Sequence, residues 1–463
     1  MSAFARQIHA EWTKLRTVRR WMIALGGAVV LSVMLSAFAA SAGRTDANSD
    51  PRIVAGPDGG PVVDAFVFAH QRITGDATVT AHVAAQDDSD EWAAAGLMIK
   101  NGTAPGARYA AIAVTPDHGT RLLADFSVDR PAGAGSWLRL ERRGTTVTAA
   151  WSADGRSWHR SVVPAELPAT VEIGLFVASP PRVVVTRGPG STSQGETATE
   201  GRAVFDSVAI GGASPRLETT RVGQGEGTVS EAGGTFTITG SGRIGPNPPP
   251  DDVVQVSLFG ILAGVLVLVT IGALFMTSET KRGLLRTTLT ANPRRGHTLA
   301  AKAVVLGAVG FVVALTAGVV AFAVAQPLLR DRGWTPPAFP RTDLTDPAVW
   351  RVLVMTALFA ATMAVLAMGV ATITRHSAAT IAGVVGLLVL PMVVGSTLPS
   401  GAARLVMLLT PAGGFATERA KPPTDALVDP TAMISGWWGL TVSALYAVTA
   451  LSVAAYRLRQ RDA

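Results

Sequence analysis

Cysteine is absent from the 463 residues, which excludes a disulfide framework, a thiolate metal site and a thiol nucleophile. Charge is also scarce: 16% of the residues are Asp, Glu, Lys or Arg, against about 25% in soluble domains. With 48% hydrophobic residues and a positive mean hydropathy, the composition indicates an integral membrane protein. The basic surplus flanks apolar runs and includes no basic face with groove-reading residues, so we expect no nucleic-acid partner.

The sequence also contains no GxxxxGK[ST], HExxH or GxSxG motif. The chain therefore does not bind ATP through a P-loop, and we predict neither enzyme activity nor a bound cofactor. An enzyme that cleaves glycans would need two carboxylates flanking a groove, and no such pair stands out. The apolar runs carry almost no ionisable side chain, which argues against an ion-coupled carrier. Lys302 is interpreted as an anchor whose ammonium group reaches the membrane surface.

Six apolar runs have the length of about 20 residues that a membrane span requires. They are Trp21–Ala42, Val253–Met276, Leu299–Leu328, Trp350–Thr374, Ala378–Leu398 and Ser435–Tyr456. Basic residues precede the first run, follow the last and fill the loop 277–298, which places all three on the cytoplasmic side. Both termini are then cytoplasmic, and residues 43–252 are extracellular. Small residues near Ala42 resemble a signal-peptidase site, but the run exceeds a usual signal core, so we favour a retained span.

The first 20 residues combine apolar and basic side chains at helical spacing. This pattern predicts an amphipathic helix, residues 1–20, on the inner membrane surface, followed by the first span at 21–42. The residues that define this surface helix are Ile8, Trp12, Lys14, Leu15, Arg16 and Arg19. A second unusual segment, 402–416 within the membrane region 253–463, is apolar but too short to span. It predicts a re-entrant hairpin on the outer side, with a helix packed on the loop surface as the alternative.

The segment 43–252 has a different pattern, with short alternating runs separated by Gly, Asp and Pro turns. The predicted strands are Thr78–Ala85, Ala93–Ile99, Arg108–Val114, Arg121–Phe126, Trp137–Arg142, Thr146–Ser152, Val171–Val177 and Val204–Ile210. Many short strands with turn signals favour an all-β antiparallel sandwich of the jelly-roll or concanavalin-like kind. The fold class is thus an α-helical membrane protein with an inserted β-sandwich. Ser179–Gly201 and Gly211–Gly234 are rich in small polar residues and are predicted to be loops.

Two groups in this segment are candidate ligand contacts. Four tryptophans could stack on a sugar, although packing in the sandwich core is their more frequent role. They are Trp92, Trp137, Trp151 and Trp158. The acidic residues Asp87, Asp88 and Asp90 could hold Ca²⁺ through oxygen ligands, but we favour a solvated turn and predict no metal site.

Several runs resemble the type-2 ABC transporter permeases of actinobacteria. These are Glu11–Arg19 before the first span, Phe275–Arg286 with Ala291–Arg295 and Ala301-Lys302, and Thr410–Phe415 before the last span. The resemblance implies six spans, cytoplasmic termini, pairing with a second permease subunit and a separate ATPase subunit that binds ATP and Mg²⁺. It also implies that the surface helix and the loop 277–298 contact that ATPase. The residues to which this role is carried are Glu279, Arg282, Gly283, Arg286, Pro293 and Arg295.

The inserted segment departs from that family and resembles bacterial laminin-G or concanavalin-like domains. The matching runs are Gly96–Lys100, Trp137–Gly144, Trp151–Trp158 and Ala203–Val208. This resemblance implies a β-sandwich that often binds carbohydrate, so an extracellular glycan is a candidate partner besides the lipid bilayer. The expected function is the membrane-spanning permease of an ATP-driven exporter whose cargo the sequence does not identify. The alternative is a membrane-anchored extracellular binding or sensory protein that keeps the permease scaffold and transports nothing.

Overall fold

The computed structural model describes residues 3–42, 50–87, 89–188, 191–247, 252–281, 295–420 and 434–460. Within them, the α-helices are α1 (Ala3–Thr17), α2 (Arg19–Ala42), α3 (Val253–Ser257), α4 (Ile261–Lys281), α5 (Arg295–Asp331), α6 (Pro347–Thr374), α7 (Ser377–Gly395), α8 (Ser400–Leu409) and α9 (Gly436–Gln460). Six of these, namely α2, α4, α5, α6, α7 and α9, are long and apolar enough to cross a membrane. The protein is therefore a multi-pass membrane protein.

Helix α6 lies at the centre of the bundle and is the most buried of the six spans. It packs against α4, α5 and α9, whereas α2 packs against α4 and α5. Close approach between α4 and α6 depends on Gly272, where a Cβ would lie 2.2 Å from the carbonyl oxygen of Ala364. Since little hydrophobic force drives helices together in lipid, small residues at such crossings supply the packing that holds a bundle.

The second span begins later than the sequence predicts. The run Val253–Met276 was predicted as one helix, but α3 ends at Ser257 and α4 begins at Ile261. At the break, a Cβ on Gly260 would lie 1.9 Å from the carbonyl oxygen of Ser32 in α2, and the Ser36 hydroxyl accepts a hydrogen bond from the Gly260 amide at 3.0 Å. A backbone N–H freed from helix pairing is thus satisfied by another span, which no local pattern reveals.

The inserted domain consists of antiparallel strands. They are β1 (Ile53–Ala55), β2 (Pro61–Asp64), β3 (Phe66–Thr74), β4 (Ala77–Gln86), β5 (Ala94–Lys100), β6 (Tyr109–Thr115), β7 (Gly119–Ala124), β8 (Val128–Gly133), β9 (Trp137–Arg143), β10 (Thr146–Ser152), β11 (His159–Val163), β12 (Thr170–Ala178), β13 (Arg182–Gly188), β14 (Ser191–Thr197), β15 (Gly201–Ile210), β16 (Glu218–Val222), β17 (Val229–Ala232), β18 (Thr235–Gly240) and β19 (Ile244–Pro246). Six spanning helices with this inserted antiparallel β-sandwich confirm the predicted fold class.

Two seven-stranded sheets form the sandwich. Sheet B has the order β16-β3-β12-β5-β6-β7-β8, and sheet C has the order β11-β10-β9-β4-β15-β18-β17. Their facing sides bury alternate residues such as Val79, Leu97, Ile112 and Leu140 in one apolar core. The other side of sheet B packs a second core, including Phe68 and Phe176, beneath the three-stranded sheet A, with order β1-β2-β19. Sheet A contains the first and last strands of the insert, next to the two connections to the membrane helices.

The predicted loops Ser179–Gly201 and Gly211–Gly234 contain strands, and the loop prediction was wrong there. The first contains the hairpin β13–β14, and the second contains β16 and β17. Strand β16 extends sheet B by pairing with β3, and β17 pairs with β18 in sheet C. The surrounding Gly, Pro and Ser residues suggested loops, but β13 contains three consecutive valines and β16 contains two threonines and a valine, residue types that favour strands.

The segment predicted as re-entrant, 402–416, forms most of α8 and of a 3₁₀ helix, Pro411–Glu418. All eight residues of the 3₁₀ helix are buried. It packs against α6 and α9, with the rings of Phe359 and Phe415 edge to face at 5.1 Å. Proline in its first turn and the pair Gly413-Gly414 disfavour a longer α-helix. This agrees with the expectation from the sequence that the segment is too short to span the membrane.

Candidate functional site

Helix α1 presents two different faces. Leu15 is buried against the bundle core and Ile8 packs partly against it, whereas Trp12 is 40% exposed. Arg16 and Arg19 are exposed, as a basic surface requires. Packing of α1 on α5 brings the α1 side chains to the ends of α4 and α5 that flank residues 282–294. We call this end of the bundle the α1 end.

The same face of α1 contributes to a cluster of four charged residues at the α1 end. The Lys302 ammonium donates to Glu11 Oε2 and to Glu279 Oε1, both at 2.7 Å. The Lys14 ammonium donates to Glu11 Oε1 at 2.8 Å and lies 3.6 Å from Glu279 Oε1. Two carboxylates and two ammonium groups thus connect α1, the C-terminal end of α4 and the N-terminal part of α5. We call these four residues the charge cluster.

The charge cluster is shielded from solvent to different degrees. The side chains of Lys302 and Glu11 are 1% and 4% exposed, that of Glu279 is 13% exposed and that of Lys14 is 43% exposed. Burial alone would lower the pKa of Lys14, but the carboxylates of Glu11 and Glu279 outweigh this effect and raise it above its ordinary value. The ring of Phe275 lies 4.8 Å from the Lys302 ammonium and adds a cation–π contact.

Lys302 therefore has a different role from the one that the sequence suggests. It was interpreted as a membrane-surface anchor, but its ammonium is enclosed by protein carboxylates and makes ion pairs with Glu11 and Glu279. Glu11 is 291 positions away in the sequence, so periodicity could not reveal the pair. The sequence did contain one signal of a buried ion pair: Glu11 is an acidic residue in an otherwise basic helix, and a charge near lipid needs a partner.

The predicted ATPase contacts are only partly described. Glu279 belongs to the charge cluster, and Arg295 begins α5, although the structure does not describe its side chain. The other predicted contacts lie outside the described residues: Arg282, Gly283, Arg286 and Pro293. The predicted docking loop therefore connects α4 and α5, two helices that the charge cluster joins to α1. The docking role itself remains a prediction.

The four candidate tryptophans do not share one surface. Trp92 is 43% exposed, and its ring stacks on His118 with centroids 3.6 Å apart. Trp137, on the outer face of sheet C, stacks on His82, whereas Trp158 lies under the Arg139 guanidinium at 4.3 Å. Trp151 packs against the core between the sheets. Trp92 alone among the four lines the large cavity described next.

A cavity of 470 Å³ lies on the outer face of sheet B, beside sheet A. Its lining includes the small side chains of Ala94, Ala113 and Ala178, with the Trp92 ring at its edge. Charged side chains of both signs also line it, and these are Asp90, Glu91, Arg121, Asp129, Arg182, Glu196 and Arg243. An open cavity with one exposed aromatic ring and many polar groups suits a polar ligand better than an apolar one.

The acidic loop before Trp92 forms a turn. Asp90 Oδ1 accepts a hydrogen bond from the Trp92 amide at 2.9 Å, and Asp88 lies outside the described residues. Across the part of the chain that the structure describes, no group of three or more His, Asp or Glu side chains has a metal-binding arrangement.

Two solved structures resemble part of the chain weakly. SCP-B, a member of the eqolisin family of peptidases in complex with the tripeptide Ala-Ile-His, is 11% identical, with a TM-score of 0.23, and the match covers 38% of this chain and 98% of that chain. Scytalido-glutamic peptidase with a peptide-based transition-state analogue is 9% identical, with a TM-score of 0.21, and the match covers 39% of this chain and 98% of that chain. These scores support no argument about fold or activity. No curated protein matches the chain significantly.

The whole-chain comparison is more informative. A family profile described as ABC-2 family transporter protein matches residues 9–463. This match covers most of α1, all six spanning helices and the inserted domain between the first two of them. The protein therefore belongs to the ABC-2 family of transporter proteins, as a multi-pass membrane subunit of an ABC transporter.

Proposed function

We propose that the chain is the permease subunit of an ATP-driven exporter and that a separate ATPase subunit docks at its α1 end. The α1 end is then cytoplasmic, and the inserted domain is extracellular. Support comes from the basic residues of α1 and of the segment after α4, which the positive-inside rule places on the cytoplasmic side. The family relation supports the same assignment, together with pairing to a second permease subunit.

The observation that carries this proposal is the charge cluster. Glu279 and Lys302 lie on the two helices that flank the predicted docking loop, and Glu11 and Lys14 join both helices to α1. A force applied to this loop or to α1 by an ATPase therefore reaches the second and third spans through buried ion pairs. Packed elements joined in this way move together, as a transporter driven from outside the membrane requires.

The docking claim is tested by charge reversal in the loop. We expect Arg282→Glu with Arg286→Glu to abolish ATP hydrolysis coupled to the permease, because the ATPase subunit loses its basic contact, while membrane insertion is unchanged. Arg330→Glu with Arg332→Glu is the matched control, since Arg330 lies in the last turn at the opposite end of α5, Arg332 follows that helix, and both are exposed. An intact complex with full coupled activity after reversal of Arg282 and Arg286 would exclude this docking surface.

A second candidate function is extracellular binding without transport. The cavity beside Trp92 favours it, and the laminin-G-like runs suggest a glycan as ligand. The two functions are distinguished by adding soluble glycans to the permease–ATPase complex in vesicles. Binding that disappears in Trp92→Ala, with ATP hydrolysis unaffected by every candidate cargo, would favour the binding protein. Hydrolysis stimulated by a cargo would favour the exporter.

A further inference from the structure

Another buried ion pair lies in the inserted domain, outside the charge cluster. The Lys100 ammonium, at the end of β5, is 2.6 Å from Asp64 Oδ2, at the end of β2. Both side chains are 0% exposed. The pair joins sheet A to sheet B, so it connects the strands next to the membrane connections with the body of the sandwich.

The surroundings of this pair disfavour its charges. Aromatic rings enclose the Lys100 ammonium, with centroids at 6.0 Å for Phe66 and 5.7 Å for both Tyr109 and Phe126. Burial raises the pKa of Asp64, and the positive charge of Lys100 only partly offsets this. Burial likewise lowers the pKa of Lys100, with the Asp64 carboxylate opposing the change. The environment therefore promotes the neutral amine and the neutral acid, which are the forms that can condense to an amide.

The two carboxyl oxygens of Asp64 have different partners. Oδ2 accepts from the Gly106 amide at 2.8 Å as well as from Lys100, whereas Oδ1 is buried with no donor among the described residues. The Lys100 ammonium also donates to the Ala107 carbonyl oxygen at 2.9 Å. A buried polar atom without a hydrogen-bond partner costs free energy and needs an explanation.

We propose that Lys100 and Asp64 are joined by an intramolecular isopeptide bond. The lone pair on Lys100 Nζ attacks Asp64 Cγ, the Nζ–Cγ bond forms and the Cγ–Oδ1 bond breaks. Oδ1 leaves as water with the acid proton and one amine proton, so no oxidant, reductant or co-reactant is required. The Gly106 amide, which already donates to Oδ2, stabilises the charge that develops there during the attack.

The product retains the favourable contacts of the pair. Oδ2 becomes the amide oxygen and still accepts from Gly106, and the remaining Nζ–H still donates to the Ala107 carbonyl. The atom that leaves is Oδ1, which has no donor among the described residues. In a chain without cysteine, this bond gives the inserted domain a covalent cross-link of a kind that reduction cannot break.

Peptide mapping tests the proposal on the full chain, purified in detergent, denatured and digested with trypsin. Trypsin does not cleave after an acylated lysine, so we expect residues 73–108 to remain uncut at Lys100 and to be joined to residues 53–72. The branched peptide would weigh one water less than its two parts together. Free peptides 53–72, 73–100 and 101–108 without the branched species would overturn the proposal.

Asp64→Ala provides the control. It removes the carboxyl group, so cleavage after Lys100 is expected to return and the branched peptide to vanish. Because digestion follows denaturation, the result does not depend on whether this variant folds. Persistent resistance at Lys100 in Asp64→Ala would show that something other than this bond protects the site, and would also overturn the proposal.

Discussion

At the scale of single residues, ionisable side chains are informative where they are buried. Lys302 lies near a span end, where a solvated lysine is the usual expectation, but two carboxylates enclose it. Sequence reasoning identified the basic surface of α1 and could not identify the pairing, because the partners Glu11 and Lys302 meet only through the packing of α1 on α5. The ligand role of the tryptophans remains a prediction, and only Trp92 combines exposure with a cavity.

Lys302→Met leaves the buried carboxylates of Glu11 and Glu279 facing each other with only Lys14 between them. We expect the loss of this buried partner to cost about 3–5 kcal/mol in the free energy of unfolding, measured by thermal unfolding in detergent. The control Lys14→Met removes an ammonium whose side chain is 43% exposed, and we expect it to cost about 1 kcal/mol or less. Equal stability of the two variants would contradict the assignment of Lys302 as the centre of the cluster.

At the scale of elements, the sequence predicted strands whose residues alternate regularly, and it missed features that depend on contacts with distant parts of the chain. The run Thr146–Ser152 was predicted with the bounds that β10 has, and the predicted strand Val171–Val177 lies within β12. The three valines of β13 were a strand signal that the loop prediction overlooked, whereas β14, β16 and β17 were missed because their largely polar sequences resemble loops until a neighbouring strand pairs with them. The break before α4 was missed for a similar reason, since Ser36 of another span satisfies the Gly260 amide.

Gly260→Ala tests that helix crossing. The added methyl group would lie 1.9 Å from the Ser32 carbonyl oxygen, so α2 and α4 must separate. We expect a destabilisation of about 1–3 kcal/mol, read as a lower unfolding temperature in detergent. Gly27→Ala is the matched control, because nothing lies within 4 Å of its Cβ position and alanine suits the helix better. An unfolding temperature unchanged in Gly260→Ala would show that the crossing is not tight.

At the scale of the whole molecule, hydropathy and charge predicted six spans and the position of the insert, because both depend on composition over long segments. The sequence did not predict how the two ends of the inserted domain come together. Sheet A unites the first and last strands of the insert, Ile53–Ala55 and Ile244–Pro246, because both pair with β2, and the pairing of Ile244 with Asp64 joins distant parts of the sequence. The domain is thus closed at the place where it joins the membrane helices.

The proposed orientation can be mapped directly, because the chain has no native cysteine. We expect a single cysteine introduced by Arg156→Cys, at an exposed turn of the inserted domain, to react with a membrane-impermeant maleimide in intact cells. One introduced by Thr13→Cys, exposed on α1, should react only after permeabilisation. The parent chain should not react at all. The opposite labelling pattern would place the α1 end outside and would exclude docking of an ATPase there.

The central claim is that an ATPase partner powers this chain from its α1 end. It is tested most directly by purifying the full chain from its native membrane in mild detergent and identifying co-purified proteins by mass spectrometry. The account predicts an ABC-type ATPase in near-stoichiometric amount, which is lost when Arg282 and Arg286 are changed to Glu and retained when Arg330 and Arg332 are changed. Recovery of the intact permease with no ATPase would contradict the account.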